Sequence, residues 1–403
     1  MPPIDGSTTL VSQFVNIPHP PGCPFYVAAA VLTLDRTGRR RVVSGRARTR
    51  DEAISRTLME AAERTRAIYR GDEEFTIGAL SELGDVAIDP RLLVLCSDLQ
   101  LAQAELWNAR VEKDHWIPQR FNTSRAIPWL KALDASTGAP KYAPAPYCLL
   151  SFPGCHELGF CIPDSSGLAA GLTYEQATLR GVLELVERDA VSIWWYNRLT
   201  LPPVAVPDNQ EELVALFRSW LDGLGRELRL IDLTNDLGIP VVAAVACSKG
   251  GSGFWFGSAA GTDLGDGIEG ALGELCQFMV SACLPHCVPT RQPLALPDFV
   301  SWAATAPLAV NEHLCPSGEP RAATGTLTLD QGLAKLKTNA IDVSVVNLSG
   351  AEIGTTVVRV LAPSLRPIWP RFASGRLFDV PVRMGWRNNV ILERDLNPTP
   401  ILY

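Results

Sequence analysis

Residues 167–198 read GLAAGLTYEQATLRGVLELVERDAVSIWWYNR, and this stretch says more about the fold than any other. Its periodicity predicts an amphipathic helix from about Thr173 to about Tyr196. Val182, Leu183, Leu185, Val186, Val191 and Ile193 surround a run of charge within it. At about 100° per residue, Arg180, Glu184, Glu187, Arg188 and Val191 share one face. Glu184 and Glu187, spaced i and i+3, are close enough to repel each other. A cation, a basic side chain or water between them would relieve that repulsion.

Two further stretches repeat the spacing. ARTRDEAISRTLMEAAERTRAIYRG at 47–71 predicts a helix starting near Thr49 or Asp51, either of which could cap it. There Glu60, Glu63 and Arg64 repeat the E-x-x-E-R of Glu184, Glu187 and Arg188. IEGALGELCQFMVSACL at 268–284 sets Glu274 and Gln277 at i and i+3, with Glu269 earlier on the same helix. One such pair is ordinarily a solvated face with a local ion pair. Three helices carrying the same oxygen spacing point instead to one shared site.

Carboxylates are hard oxygen ligands that suit Mg²⁺, an ion that keeps waters and shares substrate phosphates. Arg64, Arg188 and the carboxy-terminal arginines, among them Arg371 and Arg376, could contact phosphate. No G-x-x-x-x-G-K-[ST] loop is present, so any nucleotide is bound without a P-loop. The Gly-rich segment Gly250–Gly261 reads as a plain turn.

The remaining chain alternates helix and strand. FYVAAAVLTL, DRTGRR and RVVSG within 25–45 form a hairpin pattern. DPRLLVLCSDLQLAQ at 89–103 carries a strand–turn signal, Trp129 belongs to a core, and 139–150 is a Pro-interrupted segment entering a strand. NQEELVALFRSWLDGLG is a helix ended by glycine, followed by strands ELRLIDLT and IPVVAAVACS. IDLTNDLGIPVVAAVACS is echoed by VVNLSGAEIGTTVVRVLAPS at 345–364, each copy preceded by a helix, which suggests a duplicated unit. Residues 289–326 read as irregular structure or short helices that include a mobile loop, and the Pro-containing tail at 390–403 is either frayed or tucked into a site.

Composition narrows the class. A net charge of −7 over 403 residues argues against a general nucleic-acid binder. No apolar run is long enough for a membrane span and the first residues lack a signal-peptide pattern, so a cytoplasmic protein without membrane association is expected. The ten cysteines are expected to be reduced thiols. Neither Cys283/His286/Cys287 nor Cys155/His156/Cys161 has the paired spacing of a zinc knuckle.

The stretch 164–198, DSSGLAAGLTYEQATLRGVLELVERDAVSIWWYNR, resembles the signature of the YcaO family. Its ending ERDAVSIWWYNR resembles the branch of thiazole/oxazole-forming peptide cyclodehydratases. The likeness runs over nearly the whole chain, with the EAAER helix, IDLTNDLGIPV and TDLGDGIEGALGELCQ in the family's order. It implies an α/β (α+β) fold of YcaO type, with mixed sheets flanked by helices and a nucleotide site between helices. It also implies a single domain over 1–403, with possible sub-units 1–150 and 151–403.

The resemblance further implies ATP and Mg²⁺. Glu60, Glu63, Glu184, Glu187 and Glu274 match the metal motifs, and Arg64, Arg188 and Gln277 the nucleotide motifs, with Arg371 and Arg376 as further ATP contacts. The family's first motif usually has Ser four residues before the first Glu; that position is Arg56 here, and the nucleotide contact moves to neighbouring Ser55. Ser166 stands where the common pattern has Asn. Azoline-forming members often end in P-x-P-x-P; Pro398, Pro400 and Tyr403 take that catalytic place here.

The implied reaction acts on a ribosomally made precursor peptide. A Cys, Ser or Thr side chain attacks the preceding amide carbonyl, ATP phosphorylates the oxyanion, and phosphate leaves to give an azoline. With 403 residues filled by the YcaO region, an E1-like, leader-binding partner is expected as a separate protein. A flavin dehydrogenase and a homodimer within a complex are further possible partners. The alternatives are an ATP-dependent peptide thioamide synthetase and a non-catalytic scaffold of a peptide-modifying complex.

Overall fold

The structure is a computed structural model that describes residues 11–33, 40–110, 115–283, 298–321, 325–350 and 354–401, without the side chains of 33, 281–283 and 298–300. Its strands are β1 (Gln13–Val15), β2 (Tyr26–Thr33), β3 (Arg40–Ala47), β4 (Thr76–Gly78), β5 (Ile127–Asp134), β6 (Pro140–Pro144), β7 (Leu168–Gly171), β8 (Arg226–Asp232), β9 (Val241–Ser248), β10 (Phe254–Ala260), β11 (Ser344–Asn347) and β12 (Thr356–Leu361). The longer helices are α1 (Arg50–Ala67), α2 (Tyr174–Asn197), α3 (Asp208–Gly223), α4 (Leu264–Cys283), α5 (Leu329–Thr338) and α6 (Arg376–Arg383). The mixed α/β class expected from the sequence is what the chain adopts. The chain divides into two compact units, each discontinuous in sequence.

The first unit draws on 62–192 and 328–380. Its sheet runs β4–β5–β11–β12–β7, with β6 also paired to β5, so β7 lies at one edge. Every pairing is antiparallel, with Val357 opposite Ala170 and Val345 opposite Val360. Trp129 is fully buried and its indole N–H donates to the Gly78 carbonyl at 2.9 Å, the partner a buried indole requires. α5 begins at a capping box in which Thr328 and Gln331 satisfy each other's backbone N–H groups.

The second unit draws on 9–61, 193–327 and 381–403. It holds two antiparallel sheets, β1–β2–β3 and β10–β9–β8, in which β3 and β10 are edges. Of the two caps that the sequence allows, Thr49 is the one used by α1: the Glu52 N–H donates to its hydroxyl at 3.3 Å. Central strand β9 is apolar and buried from Val241 to Cys247, so it shows a continuous apolar run rather than alternation. Phe217 and Leu221 of α3 and Ile268, Leu272 and Leu275 of α4 join it in one core.

Two expectations are corrected. The 89–103 segment is not strand and turn but two helical turns, Arg91–Val94 and Asp98–Ala102. Leu95 closes the first in the left-handed region (φ 54°), and Ser97 with Gln100 caps the second through a capping box that apolar periodicity does not reveal. Gly250–Gly261 is not a plain turn either, because Phe254–Ala260 forms β10. Its glycine is a packing device. A Cβ at Gly257 would stand 2.2 Å from the Leu275 nitrogen and 2.7 Å from the Ala271 carbonyl of α4. Gly257→Ala should therefore destabilise the protein by about 1–3 kcal/mol, read as a lowered urea midpoint; an unchanged midpoint would contradict this packing.

The repeated helix–strand–turn–strand pattern corresponds to α3–β8–β9 and α5–β11–β12, and both strand pairs are antiparallel. In 289–326, a helix spans Asp298–Ala303, while 289–297 and 322–324 lie outside the described residues, as do the side chains of Cys283, His286 and Cys287. No helix among the described residues is long and apolar enough to cross a membrane.

Candidate functional site

A strand at a sheet edge leaves every second N–H without a strand partner, and a buried N–H must find an acceptor. In this protein the acceptors are the glutamates singled out by their helical spacing. At the edge strand β7 of the first unit, the Ala170 N–H donates to Glu63 Oε1 at 2.8 Å. Just before β7, the Gly167 N–H donates to Glu184 Oε2 at 3.0 Å. At the edge strand β3 of the second unit, the Ser44 N–H donates to Glu60 Oε2 at 3.3 Å. At the edge strand β10, the Ser258 N–H donates to Glu274 Oε2 at 2.6 Å. Four carboxylates from three helices are thus each aimed by a backbone amide.

The first unit gathers Glu63, Glu184 and Arg188 around the 167–170 segment. Arg188 Nη2 and Nε donate to Glu184 Oε1 at 2.9 and 3.2 Å, an ion pair one turn along the helix. Gly167 has φ +77°, and a Cβ there would stand 2.3 Å from the Val360 carbonyl, so only glycine lets this N–H reach Glu184. Glu187 lies half-buried on the same helix one turn from Glu184. A cleft enclosing about 370 Å³, part of it open to solvent, is lined by Ser166, Leu185, Arg188, Leu361 and Arg366.

Behind this group stands Asp164, quoted in the motif but given no role by the sequence. It accepts from the Ser166 N–H at 3.0 Å, from the Trp369 indole at 2.6 Å and from Arg359 at 3.2 Å. Burial alone would raise its pKa, but the fully buried Arg359 guanidinium and the Trp369 donor bring it below the ordinary carboxylate value. The ionised Asp164 thereby holds the turn that presents Gly167.

In the second unit, β3 is the organiser. Ser44 gives its N–H to Glu60 and accepts Gln277 Nε2 on its hydroxyl at 2.7 Å. Arg46 Nη1 donates to Gln277 Oε1 at 2.9 Å, and Nη2 stands 3.8 Å from Glu274 Oε1. Arg56 donates to the Arg46 carbonyl at 2.9 Å and lies 3.9 Å from Glu269. Arg46 carries no signal in the sequence, since it is 231 residues from Gln277. Ser55 of this unit lies half-buried on α1, as does Arg64 in the part of α1 that belongs to the first unit.

Two proposed nucleotide contacts are engaged elsewhere. Arg376 is clamped by Asp189, from Nε at 2.8 Å and Nη2 at 2.6 Å, in a buried ion pair. Arg371 donates to the carbonyls of His115, Trp116 and Pro370. Both are buried within the first unit. Of the tail residues, Pro398 is exposed and Pro400 half-buried, while Tyr403 lies outside the described residues. The tail is tucked in, not frayed, as far as the buried Ile401.

The donor set fits Mg²⁺. It consists of hard carboxylate and amide oxygens, and among the described residues no cluster of His, Cys, Asp or Glu forms a ready-made cage. Mg²⁺ is ordinarily held by one or two carboxylates with the rest of its shell from water and phosphate, so no cage is needed. Pre-aiming by a backbone amide is the outer-shell support such a ligand requires.

Near the carboxy-terminal end of α2, His313 is buried and neither ring nitrogen has a protein partner. Burial, reinforced by the Arg198 charge, pushes its pKa down to about 4. The folded protein therefore takes up the proton less readily than the unfolded chain. This stability is fully present above about pH 6.5 and is lost as pH falls toward about 4, on the order of 3 kcal/mol in all. His313→Phe should flatten that acid slope in melting temperature measured from pH 7 to pH 4; a slope equal to the parent's would contradict the assignment.

The chain is similar to several known proteins. A family model described as YcaO cyclodehydratase, ATP- and Mg²⁺-binding, matches residues 44–366. A heterocyclase solved in complex with substrate and cofactor is similar over 99% of this chain, with a TM-score of 0.89 at 31% identity. The heterocyclase TruD is similar over 89% of the chain, with a TM-score of 0.77 at 34% identity. The chain spans about half the length of these two, 56% and 51%. An uncharacterized protein of Methanothermobacter thermautotrophicus is 25% identical over 376 residues, 88% of this chain and 89% of that protein.

Proposed function

From the premise that this chain belongs to the YcaO family, we propose that it activates peptide-backbone amides with ATP. It then closes thiazoline or oxazoline rings at Cys, Ser or Thr of a ribosomally made precursor peptide. The observation that carries this reading is the set of four glutamates aimed by backbone amides, three on edge strands and one, Gly167, just before the edge strand β7. Anchoring one oxygen of a carboxylate restricts where the other can point, which is what a metal ligand needs.

Glu63, Glu184 and Glu187 of the first unit, and Glu60 and Glu274 of the second, are the residues that would hold Mg²⁺. Bound Mg²⁺ would neutralise charge on the nucleotide phosphates. Arg188 holds Glu184 in place and brings positive charge to the same helix face. Gln277 is locked between Ser44 and Arg46, so its amide is oriented before any nucleotide arrives.

The chemistry balances without an oxidant. The side-chain nucleophile gives up its S–H or O–H proton as it bonds to the amide carbon, and the amide oxygen becomes an oxyanion. That oxygen takes the γ-phosphoryl group of ATP and leaves as inorganic phosphate, and the amide N–H proton is lost when the C=N bond of the ring forms. The products are ADP, phosphate and a peptide lighter by one water per ring. Amide oxygen is a poor leaving group, and phosphorylation makes it a good one. A leader-binding partner is part of this proposal. The heterocyclase neighbours, one solved with substrate and cofactor, support the reading.

The test is mass spectrometry of a Cys/Ser/Thr-containing precursor peptide incubated with the full chain, a leader-binding partner and Mg-ATP. Loss of one water per ATP consumed is the expected result. ATP turnover with an unchanged peptide mass would overturn ring formation. Exchange of oxygen for sulfur in the presence of a sulfur donor would assign thioamide synthesis instead.

A further inference from the structure

The carboxy-terminal end of α2 is completed by residues two hundred positions further along the chain. Its own closure is a Schellman turn: the Leu199 N–H donates to the Trp194 carbonyl and the Arg198 N–H to the Trp195 carbonyl, each at 3.1 Å. Arg198 adopts φ 47°, a left-handed conformation that a non-glycine residue holds only when its surroundings enforce it. The carbonyls of Tyr196 and Asn197 are left over by this turn. The first accepts the Asn397 N–H at 2.7 Å, and the second accepts the Arg387 guanidinium.

Asn397 does more than cap. Its Nδ2 donates to the Trp195 carbonyl at 3.3 Å. Its Oδ1 accepts the Thr399 N–H at 3.2 Å and Arg198 Nη2 at 3.4 Å. The Trp195 indole N–H then donates to the Thr399 carbonyl at 2.8 Å. Asn397 and Trp195 together therefore form a closed clasp on residues 397–399.

The clasped indole is fully buried and leads to the metal-ligand set of the second unit. Trp195 stacks on Phe256 of β10, with centroids 6.2 Å apart and planes 15° apart. Trp302 and His313 meet it edge-on. Two residues beyond Phe256, on the same strand, the Ser258 N–H aims Glu274. We infer that Asn397 and Trp195 are positioning residues for Glu274. The clasp fixes the indole, the indole fixes β10, and β10 sets the carboxylate oxygen of Glu274 through Ser258. This inference rests on the proposed Mg²⁺–ATP role of Glu274, and it concerns no atom of the nucleotide itself.

Trp195→Phe removes the indole donor together with part of the buried ring volume against Phe256, and Asn397→Ala removes the clasp. Asn397→Asp keeps the acceptor for Thr399 and Arg198 but loses the Nδ2 donor to the Trp195 carbonyl. Each is made in the full chain and checked for folding by circular dichroism. In the nucleotide-free protein, hydrogen exchange at the Ser258 amide should speed by at least about tenfold in Trp195→Phe and Asn397→Ala. The Mg²⁺ concentration giving half-maximal ATP binding by calorimetry should rise by about tenfold in both, and by no more than that in Asn397→Asp, which keeps half of the clasp.

A purely structural role would lower the folded fraction without moving the Mg²⁺ midpoint. Faster exchange with an unchanged midpoint would overturn the inference, as would unchanged exchange. A parent protein that binds no Mg-ATP would sink the proposed function, while Ser258 exchange would still decide whether the clasp reaches Glu274's anchor.

Discussion

Glu187→Gln is expected to lower ATP turnover by at least about 100-fold, as losing one charged group that stabilises an active-site charge commonly does. The choice of residue matters. Glu184 holds both the Gly167 N–H and Arg188, so replacing it would disturb the 167–170 segment as well as any ion. Glu187 lies one turn away on α2 and is half-buried, and Gln keeps its size while removing its charge. A folded variant, shown by an unaltered circular dichroism spectrum and melting temperature, should release phosphate from Mg-ATP at near the background rate. Turnover equal to the parent's would remove Glu187 from the proposed site. A matched Glu274→Gln variant asks the same question of the second unit.

Asp189→Ala is expected to destabilise the protein by about 3–5 kcal/mol, the usual cost of stranding a buried charge. Asp189 is completely buried. It takes two hydrogen bonds from Arg376 and one from the Arg366 N–H at 2.9 Å. Its removal leaves the Arg376 guanidinium, itself 8% exposed, without its carboxylate. Domains are stable by only about 5–15 kcal/mol, so the variant should unfold at a much lower urea concentration. Replacing both partners with leucine should recover much of the loss, because no charge is then left buried. A single Asp189→Ala variant with the parent's urea midpoint would refute the pair's structural role, and Arg376 would return as a candidate phosphate contact.

That pair marks the limit of reading arginines from a sequence. Arg188, Arg371 and Arg376 look alike in composition. Arg188 could be placed because it shares a helix face with Glu184, a local relation set by 3.6 residues per turn. Arg371 and Arg376 could not, because the carbonyls of His115 and Trp116 and the carboxylate of Asp189 that hold them lie more than 180 residues away along the chain. Trp195 teaches the same lesson. Its burial follows from its apolar surroundings on α2, whereas its hydrogen bond to Thr399 spans 204 residues.

The two corrected segments fail for different reasons. At 89–103 the apolar run was too short to separate strand from helical turn, and side-chain capping at Ser97 decided it. At 250–261 the glycines looked like turn residues, but Gly257 serves the close approach of α4 to β10.

By itself the sequence determined the local elements and their chemistry: three helices with oxygen side chains one turn apart, a hairpin, two helix–strand–strand repeats and the motif that resembles the family. These depend on residues within a few positions of one another, so their periodicity is written in the chain. Only the tertiary structure decided how each glutamate is aimed. That outcome depends on which strands end up as sheet edges, because only an edge strand has an outward N–H to give to a carboxylate. β3, β7 and β10 are edges through pairings made across the fold, and no local pattern in their residues distinguishes them from the strands beside them.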